Sequence, residues 1–258
     1  MAIRTIFSMA DDCAQGERRG WQEFVRDFAG VSRSLLVHYF PILGPEMDGH
    51  VTAVFRRAGA QRESWFSGLK FSNEREFMMA FRDLVFAHGR EQEREPAAPI
   101  SLDQVRAMMK DLTLLEREML WLFIKGYDAQ GIGNIMMNAA ATAEAVKRIA
   151  NQDLALSARA LMESAEQAKT DQCCSLKTFN NLVNGQITWR EREAAEQHMA
   201  NCFYCIDRFT TFQEMVRLRK DVSPLREPEV EAILAQLPFV SDNRRRGVLS
   251  RLFDRTAH

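Results

Sequence analysis

Apolar residues recur every three or four positions along most of the chain, which is the spacing of amphipathic helices. Sustained alternation of apolar and polar residues, the pattern of a half-buried strand, is not found. The clearest helix spans about Gly20 to Phe40, and Pro41 and Gly44 end it. Its apolar positions are Trp21, Phe24, Val25, Phe28, Val31, Leu35 and Tyr39. The pattern therefore predicts an all-α fold.

A first helical bundle is predicted over residues 16–90. After the opening helix, another begins near Asn73, whose side chain can cap it, and Glu76 at the third helical position completes a capping-box pattern. The buried stripe of this helix is expected to comprise Phe77, Phe81, Leu84 and Val85. Gly89 is expected to end the helix, because glycine readily adopts the left-handed conformation found just past helix ends.

A second bundle is predicted over residues 101–169. Thr113 and Glu116 form another capping-box pair, and the helix that they open carries an apolar run that ends at Gly126. Its inward stripe is expected to comprise Leu115, Met119, Leu122 and Phe123. A long helix from about residue 143 to about residue 169 completes this bundle.

Two stretches depart from the helical pattern. Residues 91–100 are charged, then proline-containing, and have no periodic apolar positions, which predicts a linker between the two bundles. Residues 221–258 are predicted to form a tail with one weak helix, near Glu229 to Leu237. This tail has a basic end that contains Arg244, Arg245 and Arg246.

The overall composition limits the functions that the chain can have. It is 46% hydrophobic and 27% charged, the balance of a soluble globular protein. The formal net charge is −1, so DNA binding would require a local basic patch. No apolar stretch approaches the roughly 20 residues needed to span a bilayer, and the N-terminal residues lack the apolar core of a secretion signal. We therefore expect a cytoplasmic protein without a membrane span.

The cysteines carry the clearest chemical signal. Four of the five lie in the segment from Cys173 to Cys205. In a reducing cytosol, clustered cysteines are more often metal ligands than disulfides. The segment contains the motif H-x3-C-x2-C, formed by His198, Cys202 and Cys205. Its first two side chains project from the same face of a helix end, and the paired cysteines allow two thiolates to converge on one cation.

Zinc in a tetrahedral site requires a fourth ligand, and Cys173 or Cys174 can supply it. Residues 170–220 are therefore predicted to form a small helical domain pinned by Zn²⁺. The competing interpretation is that the cysteines are buried as ordinary apolar side chains while His198 lies on the surface. A catalytic zinc is disfavoured, because four protein ligands leave no coordination position for water.

This segment resembles the zinc-binding domain of bacterial anti-sigma factors. The shared features are an upstream cysteine, an apolar helix, the Asn184-Gly185 turn, a helix capped by Thr188, and the H-x3-C-x2-C motif. The family's usual spacing to the turn favours Cys173 over Cys174. The resemblance implies a domain that clamps a sigma factor, in some members under redox control. The predicted ligand set is Cys173, His198, Cys202 and Cys205.

The two preceding bundles resemble an extracytoplasmic-function sigma factor. The segment LTLLEREMLWLFIKGYDAQGIGNIM is similar to the helix-turn-helix domain with which that family reads the −35 element. Residues 143–159 would then form the recognition helix. In such motifs the side chains at the start of this helix contact base edges and phosphates. The implied DNA-binding residues are Thr142, Glu144, Lys147 and Arg148.

The first bundle is similar to the polymerase-binding and promoter-melting region of that family only in the spacing of its apolar and polar residues. Asp48 falls near the family's acidic polymerase-contact motif. Trp65, Phe66 and Phe71 could stack on unpaired bases, as aromatic side chains do in single-strand binders. The competing interpretation, which we favour, is that these aromatic residues belong to the core.

The chain is accordingly expected to be a bacterial regulator of transcription initiation with a fused, zinc-binding, anti-sigma-like domain that packs on its sigma-like bundles. The expected partners are core RNA polymerase and promoter DNA. The alternative is a regulatory protein-interaction module that keeps these shapes without reading a promoter, because only Lys147 and Arg148 are basic early in the recognition helix. An enzyme is not expected, since no nucleophile–base pair or phosphate-binding loop is found.

Overall fold

The computed structural model describes residues 5–92, 101–136 and 158–240. The described residues contain thirteen α-helices and no strand, which confirms the all-α prediction. They divide into two compact units, one of residues 5–92 and 222–240 and one of residues 101–136 and 158–221. None of the described helices combines the length and apolar character that crossing a bilayer would require.

Within each continuous described stretch, short connections join successive helices. The first unit begins with α1 Ile6–Ala14, α2 Arg18–Tyr39, a 3-10 segment Pro41–Glu46, α3 Met47–Ala60, α4 Arg62–Gly68 and α5 Glu74–Gln92. The second unit contains α6 Leu102–Met109, α7 Leu114–Ile124, α8 Ala129–Ile135, α9 Ala158–Gln167, α10 Leu176–Asn184, α11 Trp189–Met199 and α12 Phe203–Asp221. The last described helix, α13 Glu227–Leu234, belongs to the first unit.

The core of the first unit is an aromatic cluster centred on Phe24 of α2. Phe24 is fully buried, and its ring packs mainly edge-to-face against its neighbours at centroid separations that favour aromatic pairs. The surrounding rings belong to Phe28, Phe55, Phe66, Phe77 and Phe81. These rings come from α2, α3, α4 and α5, so one side chain ties four helices together.

The cap of α5 is confirmed, but its predicted end is wrong. The Asn73 side chain accepts a hydrogen bond from the Glu76 backbone N–H at 3.1 Å. The helix continues through Gly89 as far as Gln92. A Cβ atom at Gly89 would lie 2.5 Å from the Phe40 ring, so this glycine permits close packing instead of ending the helix.

Residues 222–240, which we call the C-terminal segment, pack on α2 within the first unit. The Leu225 N–H donates to the Arg26 carbonyl at 2.9 Å. Further along, the Phe239 ring lies 4.8 Å from the Trp21 ring. The helix predicted near residues 229–237 is found at α13, but the sequence pattern did not predict that this segment would pack on the first helical bundle.

The core of the second unit combines helices from both sides of residue 170. Trp121 of α7 is completely buried, and its ring stacks on Phe203 of α12 at 5.6 Å. Ile206 of α12 belongs to the same apolar cluster. The other buried members are Val105, Met109, Met119, Leu120, Leu122, Ile124, Ile132, Ile135, Leu161 and Ala165. The helix that follows the cysteine motif is therefore part of the core that α7 and α8 build.

The capping box that opens α7 is confirmed. The Thr113 hydroxyl accepts from the Glu116 backbone N–H, and the Glu116 carboxylate accepts from the Thr113 N–H at 2.9 Å. Met119 and Leu122 are buried as predicted, but the prediction that Leu115 faces the core is wrong, since 43% of it is exposed. Leu115 lies on the side of α7 that faces a groove described below.

A buried ion pair joins α7 to α12. The Lys125 ammonium, which is fully buried, lies 2.8 Å from the Asp207 carboxylate. The same carboxylate accepts from the Trp121 indole N–H at 2.9 Å, and Lys125 also donates to the Thr211 and Thr210 hydroxyls at 2.8 and 3.2 Å. The hydrogen bonds around the pair compensate for the desolvation of both charges.

Replacing Lys125 by methionine should destabilise the second unit by about 3–5 kcal/mol, because Asp207 would remain buried without its cation. Chemical denaturation followed by tryptophan fluorescence measures this loss. The matched control is Arg192→Met, which breaks the exposed Arg192–Glu196 pair and should cost less than about 1 kcal/mol. Equal effects of the two substitutions would contradict the role given to the buried pair.

Candidate metal centre

Local sequence signals position the helices that carry the cysteine motif. The Ser175 hydroxyl accepts from the Thr178 N–H and so caps α10. Gly185 ends α10 with a φ of 66°, a left-handed conformation that glycine adopts without strain. Thr188 and Glu191 form the predicted capping box of α11, which is confirmed. The sharp turn and the fixed start of α11 together direct its last turn back towards the residues before α10.

The structure brings the four predicted side chains together. The ligand atoms of Cys173, His198, Cys202 and Cys205 all lie within 4.8 Å of one another, close enough to bind one metal ion. The Cys173 and Cys202 sulfurs are 3.7 Å apart. Two thiolates at Zn–S distances of about 2.3 Å in a tetrahedral site would be roughly 3.8 Å apart, so this spacing fits a shared cation.

The imidazole of His198 provides an independent test of the fit. Its Nε2 atom is buried and has no hydrogen-bond partner among the described residues. Buried polar atoms are nearly always hydrogen-bonded or bound to an ion, because an unpaired one costs free energy. A metal ion between the sulfurs and this nitrogen would satisfy it, so the residues present fit a bound cation.

Backbone N–H groups support two of the sulfurs. The Thr170 N–H donates to Cys173 Sγ, and the Cys174 N–H donates to Cys205 Sγ, both at 3.2 Å. Such hydrogen bonds orient metal-bound thiolates and stabilise their charge. Cys174 thus contributes its backbone next to the cluster, while the group of converging ligand atoms contains Cys173.

The four thiols of the segment have shifted pKa values. At Cys173, burial raises the pKa, but hydrogen bonds with Thr170, Cys202 and Cys205 together outweigh this and the net shift is downward. The hydrogen bond with Cys205 lowers the pKa of Cys174 to about 7. Burial raises the pKa of Cys202, and the hydrogen bond with Cys174 together with burial raises that of Cys205. A bound cation would favour the thiolate form of all three ligand cysteines, because its charge opposes the upward pKa shifts at Cys202 and Cys205.

The other predicted site residues fall into two groups. Thr142, Glu144, Lys147 and Arg148, the implied DNA-binding residues, lie outside the described residues. In the first unit, Phe66 is buried and Trp65 packs on it at 4.6 Å, while Phe71 packs on Phe77 at 5.3 Å. These aromatic side chains pack against the core, as the favoured interpretation expected. Asp48 is exposed and forms an ion pair with Arg33.

Sequence reasoning missed the residues that connect the metal centre to the rest of its unit. Asp207 follows the last ligand by two positions and accepts hydrogen bonds from α7. The signal that was available is Lys125, a lone charge at the end of the apolar run LWLFI. A charged residue next to such a run either lies at a helix end or is paired in the interior. Lys125 does both, since it is the C-cap of α7 and pairs with the buried Asp207.

No protein-family model, no characterised protein and no solved structure matches the chain. The likeness to sigma and anti-sigma factors therefore rests on the sequence motifs.

The four-residue cluster should hold one metal ion per chain. We expect Cys173→Ser and Cys202→Ser to lose tightly bound metal, because each removes one of the converging ligands. Cys174→Ser is the matched control, since its backbone N–H remains, and it should keep a stoichiometric ion. Elemental analysis after a chelator challenge measures all three. Loss of metal from Cys174→Ser with retention in Cys173→Ser would reverse the ligand assignment.

Proposed function

We propose that Cys173, His198, Cys202 and Cys205 hold a structural zinc ion. The observation that carries this proposal is the convergence of three sulfurs and one imidazole within 4.8 Å. Soft thiolates with one imidazole in a tetrahedral arrangement are the ligand set typical of structural zinc. Four protein ligands leave no position for a substrate or water, which favours a structural role over an enzymatic one. A site built from thiolates suits a reducing compartment, so we propose a cytoplasmic location.

We further propose that the chain regulates transcription initiation, as a sigma-like protein with a fused anti-sigma-like module. The support is the shared core of the second unit. The helices α7 and α8, which resemble part of a helix-turn-helix, and α12 bury their apolar side chains together, as expected of a module that clamps the bundle within one chain. Core RNA polymerase and promoter DNA are the proposed partners.

The position of the metal site suggests how this clamp responds to its environment. Cys205 lies in the first turn of α12, and Asp207, two residues on, holds the Lys125 ammonium. Bound zinc supplies folding free energy to the small helices that it joins. Loss of the metal, or oxidation of the thiolates, would loosen the first turn of α12 and weaken its hold on α7.

A second candidate function is a regulatory interaction module that does not read a promoter. The observation that favours it is the packing of Trp65, Phe66 and Phe71 against the core of the first unit. The buried Phe66 is not free to stack on unpaired bases, and the contacts of Trp65 and Phe71 with core rings restrict how they could do so. This candidate predicts protein partners and no sequence-specific DNA binding.

The full-length, metal-loaded protein should bind core RNA polymerase with a Kd of about 1 μM or tighter. It should also support promoter-dependent run-off transcripts from a library of genomic promoter fragments. The transcript level should change several-fold in Cys202→Ser and stay at the parental level in Cys174→Ser. Truncation before α10 is unsuitable, because it would remove Phe203 and Ile206 from the shared core.

Polymerase binding without promoter-dependent transcripts would favour the interaction module. The absence of both polymerase binding and transcripts from the metal-loaded protein would contradict the proposed role in transcription.

A further inference from the structure

A groove of about 570 Å³ crosses the second unit between α7, α8, α10, α11 and α12. Its volume falls in the range of about 300–1,000 Å³ that is typical of small-molecule sites. Much of its lining is apolar, with Leu182 and Val183 from α10, Met199 from α11, and Phe209 and Val216 from α12. Because helices from both halves of the unit build the walls, the groove exists only when the cysteine-motif helices pack on α7 and α8.

Two large apolar side chains remain exposed along this groove. Leu115 is 43% exposed and Val183 is 39% exposed, although both belong to the apolar stripes of their helices. Each could be covered by an apolar ligand lying in the groove, which would remove their surface from water.

The groove also contains a buried carboxyl group. Only 6% of Glu118 is exposed, and it lines the groove. Burial raises the pKa of Glu118 to about 7, and a hydrogen bond from Gln213 only partly opposes this shift. That hydrogen bond is long, at 3.4 Å, and among the described residues Glu118 has no cationic partner. Within the part of the chain that the structure describes, the Gln213 side-chain oxygen is itself buried without a hydrogen-bond partner.

The cations around the groove are already paired or lie at its edge. Arg192 pairs with Glu196 at 2.8 Å, and Arg217 pairs with Asp221 at 2.6 Å. Lys220 is exposed. The uncompensated groups inside the groove are therefore a carboxyl and an amide oxygen, both of which accept hydrogen bonds from a cation.

We propose that this groove binds a small amphipathic amine, with its apolar body against the walls and its ammonium group on Glu118 and Gln213. An ammonium has three N–H donors, enough to bond both the carboxylate and the amide oxygen. A hydrogen bond from an ammonium to the ionised carboxyl is stronger than a neutral hydrogen bond, and a bound ammonium favours the ionised form of Glu118. An alcohol or an anionic ligand would not gain this charge-assisted bond. The proposal does not depend on a role in transcription.

Three probes of matched shape test the charge preference: 4-phenylbutylamine, 4-phenyl-1-butanol and 4-phenylbutyrate. Titration calorimetry of the full-length, metal-loaded protein at neutral pH should give a Kd for the amine about tenfold or more below those of the alcohol and the acid. In Glu118→Gln this preference should fall to about twofold or less. Glu193→Gln, an exposed change on α11, is the matched control and should keep the parental preference.

A second variant tests the location without touching the carboxyl. Val183→Trp at the exposed edge should fill part of the groove and weaken the amine several-fold, with the metal content unchanged. An amine that binds no better than the alcohol, or a preference that survives in Glu118→Gln, would overturn the proposal. Unchanged amine binding in Val183→Trp would also overturn it.

Discussion

The position of α12 is the constraint on which the second unit depends. Its first turn carries Cys205 of the candidate metal centre, and Asp207 follows in the same helix and pairs with the buried Lys125. One turn later, Phe209 lines the groove. A shift of this helix would therefore have three effects at once. It would separate the candidate metal ligands, leave two buried charges without their partners and change the shape of the groove.

Apart from a bound metal ion, few buried side chains stabilise the small helices of the candidate metal site. In α10 the buried residue is Phe179, and in α11 the buried residues are Ala195 and Met199. Burying one aromatic and two smaller side chains gives only a few kcal/mol, which is comparable to the cost of ordering a few residues. A bound zinc ion provides about 10–16 kcal/mol in comparable small modules, enough to offset that cost.

The sequence predicted the features that depend on local chemistry. The capping boxes at Thr113 and Thr188 and the turn at Gly185 are read from neighbouring residues, and all are found. The four converging ligands were predicted from spacing, together with a family resemblance that chose between Cys173 and Cys174.

The features that sequence reasoning missed or misjudged depend on long-range packing. Gly89 lies within a helix because the Phe40 ring packs against it, and the C-terminal segment lies where it packs on α2. Lys125 and Asp207 are far apart in the chain, so no local pattern links them. Leu115 follows the apolar spacing of its helix, but its side chain lines the groove instead of packing against another helix.

X-ray absorption at the zinc edge tests the central claim most directly, since it reports the atoms bound to the ion. Three sulfurs at about 2.3 Å and one nitrogen at about 2.0–2.1 Å are expected from purified, reduced protein. A zinc shell made of oxygen and nitrogen alone, or a protein that takes up no zinc, would contradict the metal centre and the clamp built on it.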